Sequence, residues 1–141
     1  MCYLRRLIIK NMKIKEEIIE IIMGADGKAL ATVVDGEAHV VPVSTVKVEN
    51  NKILLVNYFM GQTVKNILNN PKASLVCWKG LEGYQIKSTV EYLTEGETFD
   101  SIVEWISELH PDRTVLGVLS LTPDEIYDVS ATAELPGRRI I

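Results

Sequence analysis

The spacing of apolar residues in the first third of the chain changes twice, and each change predicts a different element. Isoleucines recur at helical spacing between glutamates over residues 13–23, which is typical of an amphipathic helix. Residues 28–34 have the composition of a strand, and Asp35-Gly36 is a two-residue hairpin signal. The return strand is predicted over residues 37–48. Pro42 lies inside it and donates no ladder hydrogen bond, so we expect an edge or a bulge there.

The remaining two thirds of the chain continue the alternation of short strands and amphipathic helices. A helix is predicted over residues 61–70, where Pro71 ends it, and a second one after Thr94, which forms a capping-box pattern with Glu97. Strands are predicted at 53–58, 72–78, 84–93, 114–121 and 125–129. About seven strands and three helices, without an internal repeat or a long linker, predict one mainly β domain. The economical arrangement is an antiparallel barrel with helices outside.

Charge and composition exclude several classes of protein. The net charge is −4 and no run of basic residues occurs, so a broad nucleic-acid surface is not supported. The two cysteines are far apart, and the apolar residues after Met1 stop at Lys10, short of a signal sequence or a membrane span. We therefore predict a soluble, cytoplasmic protein. A helix pattern starts directly after Met12, so residues 1–12 are predicted to be a poorly ordered extension produced by start-site choice, and residues 13–141 the single domain.

The most informative segment for chemistry is residues 57–66, which join a strand to a helix start through Gly61. Free amide groups at a helix N-terminus attract phosphate, and the hydroxyl of Thr63 would add a donor. The alternative is that Thr63 only caps the helix. Residue pattern alone leaves both interpretations open.

Three segments together resemble a known family. Residues 40–48, 57–71 and 83–91 are similar to the successive signature segments of the pyridoxamine-phosphate-oxidase-like FMN-binding split barrels, in the same order and at similar separations, and the similarity spans about residues 14–129. The resemblance implies a split β-barrel, FMN as the cofactor, and a homodimer with FMN in a crevice near the subunit interface. It implies no catalytic side chain, because the flavin itself carries the electrons. The electron partner stays unassigned.

The resemblance also assigns roles to particular positions. Val43, Ser44 and Thr45 would border the flavin ring or ribityl chain, Asn57 and Tyr58 would flank the chain, Gln62 and Thr63 would hold the phosphate, and Gln85 would approach the ring. Many relatives have a basic residue at the position of Gln62, and a dianion is held more firmly by charged donors. Lys47, Lys65 or Lys87 are the residues that could restore this charge, and Lys47 or Lys87 could also stabilise the reduced flavin. Each is equally compatible with a solvated surface lysine.

Other residues and functions carry less weight. His39 and His110 lack a second ligand nearby, so no metal site is predicted, and Cys77 has the pattern of a buried, inert thiol. Activity as a true pyridoxamine-phosphate oxidase is not expected, because the tail, apart from its two arginines Arg138 and Arg139, does not match the substrate-gripping segment of those enzymes. The alternatives are a split barrel that binds a deazaflavin or haem, a cofactor-free structural dimer, and an oligonucleotide-binding barrel, which would need exposed aromatic and basic residues on one sheet face.

Overall fold

The protein is described by a computed structural model that covers residues 13–131, 134 and 137–140. The predicted extension at residues 1–12 lies outside these residues. The described part contains three helices, α1 (Glu16–Met23), α2 (Gly61–Asn69) and α3 (Glu97–Leu109). Its eight strands are β1 (Gly27–Val34), β2 (Glu37–Pro42), β3 (Val46–Glu49), β4 (Lys52–Asn57), β5 (Lys72–Lys79), β6 (Glu82–Leu93), β7 (Gly117–Asp128) and β8 (Arg138–Arg139). The predicted mainly β class is confirmed.

All strands belong to one antiparallel sheet in the order β2-β1-β5-β6-β7-β4-β3, with β8 paired to β7. In a flat sheet the two edge strands of this order would lie about 29 Å apart, at about 4.8 Å per strand. Yet β2 and β3 are consecutive in sequence, and the chain from Pro42 to Val46 can span at most about 14 Å. The sheet must therefore curl until its edges approach each other, which is the geometry of a split barrel.

The predicted continuous strand over residues 37–48 is wrong in this respect. The chain leaves β2, and its pairing with β1, after Pro42 and enters the opposite edge of the sheet at Val46. Val43 still donates a backbone hydrogen bond to the carbonyl of Lys28 in β1, and the carbonyl of Thr45 already accepts one from Val56 in β4. The chain therefore crosses between the two edges within residues 43–45. The expected edge at Pro42 is confirmed, because β2 is an edge strand of the sheet. The Asp35-Gly36 hairpin is also confirmed, with both residues at positive φ.

Two further predictions need correction. The two final strands are one strand, β7, whose register against β6 shifts between Lys87 and Ser88, so that Asp124 has no partner. The bulge accommodates the polar break that suggested two strands. The capping box at Thr94 does not form either. Helix α3 starts after Gly96, whose φ is 96°, and no side chain caps it.

The helices divide the apolar residues into two clusters. The larger one fills the barrel, where Leu30, Leu75, Ile86 and Leu119 from four strands are fully buried. Helix α1 packs against β3, β5 and β6, and α2 against β1 and β6. The smaller cluster lies outside the barrel, between α3 and strands β4 and β7. In the described part of the chain, no helix is long and apolar enough to cross a membrane.

One face of the barrel carries no helix of the described residues. The side chains of Val40, Ala31, Ser74 and Lys87 are neighbours across β2, β1, β5 and β6 and point away from the core. We call this surface the outer sheet face and define it by Ala29, Ala31, Val33, Val40, Ser74, Val76, Gln85 and Lys87. Val40 is 66% exposed and Val33 40% exposed, so the face is not covered within the described residues.

Candidate functional site

A cleft lies where the chain crosses from one edge of the sheet to the other. One hollow of about 370 Å³ is lined by residues 42–44, Val56 and residues 58–60, and a neighbouring cavity of about 650 Å³ adds residues 112–114 and Leu116. The two hollows share Ser44, Tyr58 and Phe59. We call them together the cleft. Its position follows from the fold, because the edge switch after Pro42 and the end of β4 meet there.

Hydroxyl groups connect the floor of the cleft to its surface. The Oγ of exposed Ser44 is 3.5 Å from Oγ1 of Thr45, which is 3.2 Å from the Oη of Tyr58. Thr45 and Tyr58 are buried, and Val43 belongs to the barrel core. The structure therefore brings these four predicted residues together, with Ser44 as the member that solvent reaches.

Arg113 is a cleft residue that the sequence did not reveal. Its guanidinium carbon lies 5.2 Å from the centroid of the Tyr58 ring, within the range of a cation–π contact. It comes from the connection between α3 and β7, which contains no motif and is placed at the cleft only by the sheet order. The sequence signal that could have indicated a site here was an arginine without a structural role near the end of this connection.

Asn57 shapes the cleft loop through both ends of its amide. Its Nδ2 donates to the Oη of Tyr92 at 2.9 Å, and its Oδ1 accepts from the backbone N–H of Met60 at 2.6 Å. Asn57 is 3% exposed. Its predicted role beside a ribityl chain stays a prediction, and the role that its contacts support is to hold the loop of residues 57–60.

The N-terminus of α2 adjoins the cleft, because Met60 lines the smaller hollow. Met60 occupies the N-cap position, and no side chain caps the helix. The alternative that Thr63 only caps α2 is therefore wrong. The Oγ1 of Thr63 is buried without a hydrogen-bond partner among the described residues, and the residue itself is 0% exposed. Gln62 instead donates from Nε2 to Oδ1 of Asn66 at 2.9 Å.

A buried polar layer lies beneath α2. Asn66 is one helical turn beyond Thr63 on the same face and donates to Oγ1 of Thr32 at 3.0 Å. Thr32 pairs across the sheet with His39 on one side and, through Ala73, with Ser88 on the other. Nε2 of His39 and Oγ of Ser88 are buried without a partner in the described part of the chain. Sequence reasoning considered His39 only as a metal ligand and missed this layer.

The remaining predicted residues lie elsewhere in a single copy. Gln85 donates to Oγ of Ser74 at 3.1 Å and lines, with Lys87, a separate hollow of about 500 Å³ on the outer sheet face. Nζ of Lys87 is 5.1 Å from the ring of Tyr127. Lys47 lies over Trp105 at 5.0 Å, on the side of α3. Lys65 is exposed on α2. None of these four residues lines the cleft.

Cys77 and Tyr127, two titratable groups outside the cleft, have raised pKa values, each with a clear physical cause. Burial raises the pKa of the Cys77 thiol to about 12, which confirms the predicted buried thiol. The hydrogen bond that Tyr127 donates to Glu125 raises the pKa of that phenol. Within the described residues, no group of histidines, cysteines and carboxylates could hold a metal ion.

Comparison with known proteins adds a family to this geometry. The family profile described as pyridoxamine 5'-phosphate oxidase matches residues 14–130. The chain belongs to this family. The resemblance of the three sequence segments is thereby confirmed, and so is the split-barrel fold that it implied.

Individual relatives agree with the assignment. An uncharacterized protein of Methanocaldococcus jannaschii, MJ0282, is 35% identical over 101 residues, which are 69% of this chain and 68% of that protein. HupZ of Group A Streptococcus has a similar structure, with a TM-score of 0.74, 22% identity, and coverage of 86% of this chain and 98% of HupZ. An FMN-binding protein from Syntrophomonas wolfei gives a TM-score of 0.70 at 17% identity, over 93% of this chain and 97% of that protein. These structures support the fold.

Proposed function

We propose that the protein is an FMN-binding flavoprotein that transfers electrons as an oxidoreductase or an electron carrier. The observation that supports the proposal is the cleft between residues 42–44 and residues 58–60, because Val43, Ser44 and Tyr58, which the family resemblance assigns to the flavin, line it. Its hollows of about 370 and 650 Å³ lie within the common range of about 300–1,000 Å³ for ligand sites. Bound FMN would supply one- and two-electron chemistry, and the chain would bind and orient it.

The ring end of the cleft fits a flavin because apolar and hydroxyl groups alternate along it. Pro42 and Val43 present backbone and aliphatic surface, and Ser44 presents a hydroxyl that the Thr45–Tyr58 chain orients. Pro42 has no amide N–H to satisfy, so its side of the cleft can bury against a ring without an unpaired donor. These residues would position a planar ring and exclude water from one side of it.

The phosphate end fits through neutral donors. The uncapped start of α2 offers backbone N–H groups, Thr63 has a buried hydroxyl without a partner, and nothing lies within 4 Å of the position that a Cβ on Gly61 would occupy. A phosphate could therefore approach the backbone at Gly61. Neutral donors bind a dianion about half as strongly as charged ones. We therefore infer that FMN is held more weakly than in relatives with a basic residue at the position of Gln62.

A second copy would complete the site. Gln85, which the resemblance brings to the ring, lies on the outer sheet face rather than in the cleft of the same copy. Both assignments can hold if the outer sheet face of one copy packs near the cleft of the other. We therefore propose a homodimer in which Gln85 of the second copy approaches the flavin. The apolar and small side chains of that face suit such packing.

The first test is the visible absorbance spectrum of protein purified without added cofactor. We expect a flavin spectrum, and chromatography of the material released by heat should give FMN at about one per subunit. A colourless protein that takes up neither FMN nor riboflavin would overturn the proposal.

The same spectrum separates the remaining candidates. Deazaflavin and haem have absorbance bands different from those of FMN, and a cofactor-free dimer has none in the visible range. The purified protein is also expected to produce no pyridoxal phosphate or hydrogen peroxide from pyridoxamine phosphate. Production of both would show that the protein is a true oxidase of that substrate.

A further inference from the structure

The larger hollow of the cleft extends beyond the residues that the resemblance assigns to the flavin. It measures about 650 Å³ and extends from Ser44 and Tyr58 to Arg113, Thr114 and Leu116. Phe59 at its rim is 98% exposed, and Leu116 is 54% exposed. These two exposed apolar side chains line one hollow together with a cation, so they can offer a ligand both apolar contact and charge.

Arg113 has donors to offer in this hollow. In the part of the chain that the structure describes, its side chain forms no ion pair, and its contact is with the face of the Tyr58 ring at 5.2 Å. A ring face attracts the charge of a guanidinium but accepts none of its five N–H groups in a strong hydrogen bond. The contact therefore holds the guanidinium in place and leaves its edges free for a planar, two-oxygen acceptor.

We propose that this hollow binds a planar aromatic carboxylate, with the carboxylate on Arg113 and the aromatic ring against Phe59. Ser44 Oγ, at the boundary between the two hollows, is a further donor for the same ligand. As the second reactant of a flavin in the adjacent hollow, this ligand depends on the proposed function. Binding of the carboxylate to the chain itself does not depend on it.

Asp112 also lines the hollow and bears on the choice of ligand. Its carboxylate is not paired with Arg113 within 4 Å, since the ion pairs of the described residues are Lys72–Asp124 and Arg139–Glu125. It would repel a bound anion through solvent. We therefore expect Asp112→Asn to bind an aromatic carboxylate more tightly than the unchanged chain does, which is the opposite of the effect of a change at Arg113.

Benzoate and benzamide test the proposal, because they share shape and ring and differ in charge. Binding of each to the full chain is measured by ligand-observed NMR, both before and after addition of FMN. We expect benzoate to bind more tightly than benzamide. Arg113→Met should weaken the binding of benzoate about tenfold, because a charged hydrogen bond is lost, and leave the binding of benzamide unchanged. Arg113→Lys should recover part of the benzoate affinity, because it keeps the charge but not the planar fork.

Two further variants separate the contributions of ring and charge. Phe59→Ala should weaken both ligands to the same extent, because the side chain is exposed and contributes only apolar contact. Arg138→Gln, a matched loss of an exposed arginine on β8, should change neither ligand. Equal affinity for benzoate and benzamide, no binding of either, or a preference that survives Arg113→Met would each overturn the inference.

The outcome is distinguishable from failure of the proposed function. FMN uptake is followed separately, by quenching of flavin fluorescence in the same samples. A protein that takes up FMN and shows no preference for benzoate retains the proposed function and loses the inference. A protein that binds no FMN but prefers benzoate through Arg113 retains the carboxylate site and loses its role beside a flavin.

Discussion

The contact of Gly117 with Tyr92 determines how the loop beside the cleft is held. A Cβ placed on Gly117 would overlap the Oη of Tyr92, so glycine allows the phenol to pass over the start of β7 without a clash. That phenol in turn accepts from Asn57, which fixes the loop through Met60. The absence of a side chain at Gly117 in β7 thereby helps to orient Asn57 at the end of the neighbouring strand β4.

Gly117→Ala is predicted to destabilise the protein by about 1–3 kcal/mol, because the added methyl group must displace a ring in a packed region. The free energy of unfolding is measured by urea denaturation. Gly61→Ala is the matched control, since nothing lies within 4 Å of its Cβ position and alanine favours a helix. Equal stability of the two variants would show that the Tyr92 ring moves aside without cost.

Cys77 is predicted to resist thiol reagents in the folded protein. Its side chain is 0% exposed, and its pKa of about 12 leaves little thiolate at pH 8. In a Cys2→Ser background, in which Cys77 is the sole cysteine, a disulfide reagent at pH 8 should label the chain only after urea unfolds it. Labelling of native protein within minutes would indicate that β5 opens locally.

The thiol also makes the stability of the protein depend on pH in the alkaline range. The folded-state pKa lies above the unfolded value of 9.0, so the protonated form is favoured by folding. This contribution is complete below pH 9.0 and is lost as the pH rises toward about 12. Cys77→Ala should therefore show a flatter decrease in stability over that pH range than the unchanged chain, apart from its constant packing loss.

At the scale of the elements, local pattern predicted most of the sheet but not its path. The Asp35-Gly36 hairpin and the strands predicted at 72–78 and 84–93 rest on local signals, and each is confirmed. The switch of edges between Pro42 and Val46 is not local, because strand-forming valines occur on both sides of it. Only the completed sheet order shows that these valines belong to opposite edges.

The same limit explains which site residues were predicted. Ser44, Thr45 and Tyr58 lie in segments that resemble the family, so their proximity was expected. The position of β7 in the sheet order brings Arg113 to the cleft, and the register of β1 with β2 brings His39 to the polar layer. No sequence motif contains this information. The capping box predicted at Thr94 was wrong, because the pattern competes with Gly96, two residues later, which adopts a positive φ and precedes the helix.

Helix α2 carries the prediction on phosphate recognition. Thr63→Val keeps the shape of the side chain and removes its buried hydroxyl, so we expect FMN binding to weaken several-fold while riboflavin binding stays constant. Gln62→Arg introduces a charged donor at the start of the helix and should strengthen FMN about tenfold over riboflavin. Both affinities are measured by quenching of flavin fluorescence.

Lys65→Gln is the control for these two variants. It removes an exposed charge from α2 and should lower FMN affinity only slightly, with a difference that disappears at high salt. A ratio of FMN to riboflavin affinity that is the same in the unchanged chain, Thr63→Val and Gln62→Arg would place the phosphate away from α2. It would leave the ring end of the cleft unaffected.

At the scale of the whole molecule, the two halves of the predicted site lie in different hollows. Ser44 and Tyr58 line the cleft, whereas Gln85 and Lys87 line the hollow of the outer sheet face. Within one copy, the pairing of β6 with β5 holds Gln85 beside Val76 and Lys87 beside Ser74, on the outer sheet face. In a dimer with two-fold symmetry, the outer sheet face of each copy would meet the cleft of the other. The same pair of surfaces would therefore form both sites.

Val40→Glu is predicted to convert the proposed dimer to monomers and to weaken FMN binding at the same time. Val40 is 66% exposed on the outer sheet face, so the charge should cost little in the isolated barrel but be buried and unpaired in a dimer. Light scattering measures the mass, and fluorescence the FMN affinity. Leu109→Glu, at the end of α3 and 52% exposed, should change neither. If Val40→Glu becomes monomeric and still binds FMN with unchanged affinity, the cofactor site lies within one copy and Gln85 has no part in it.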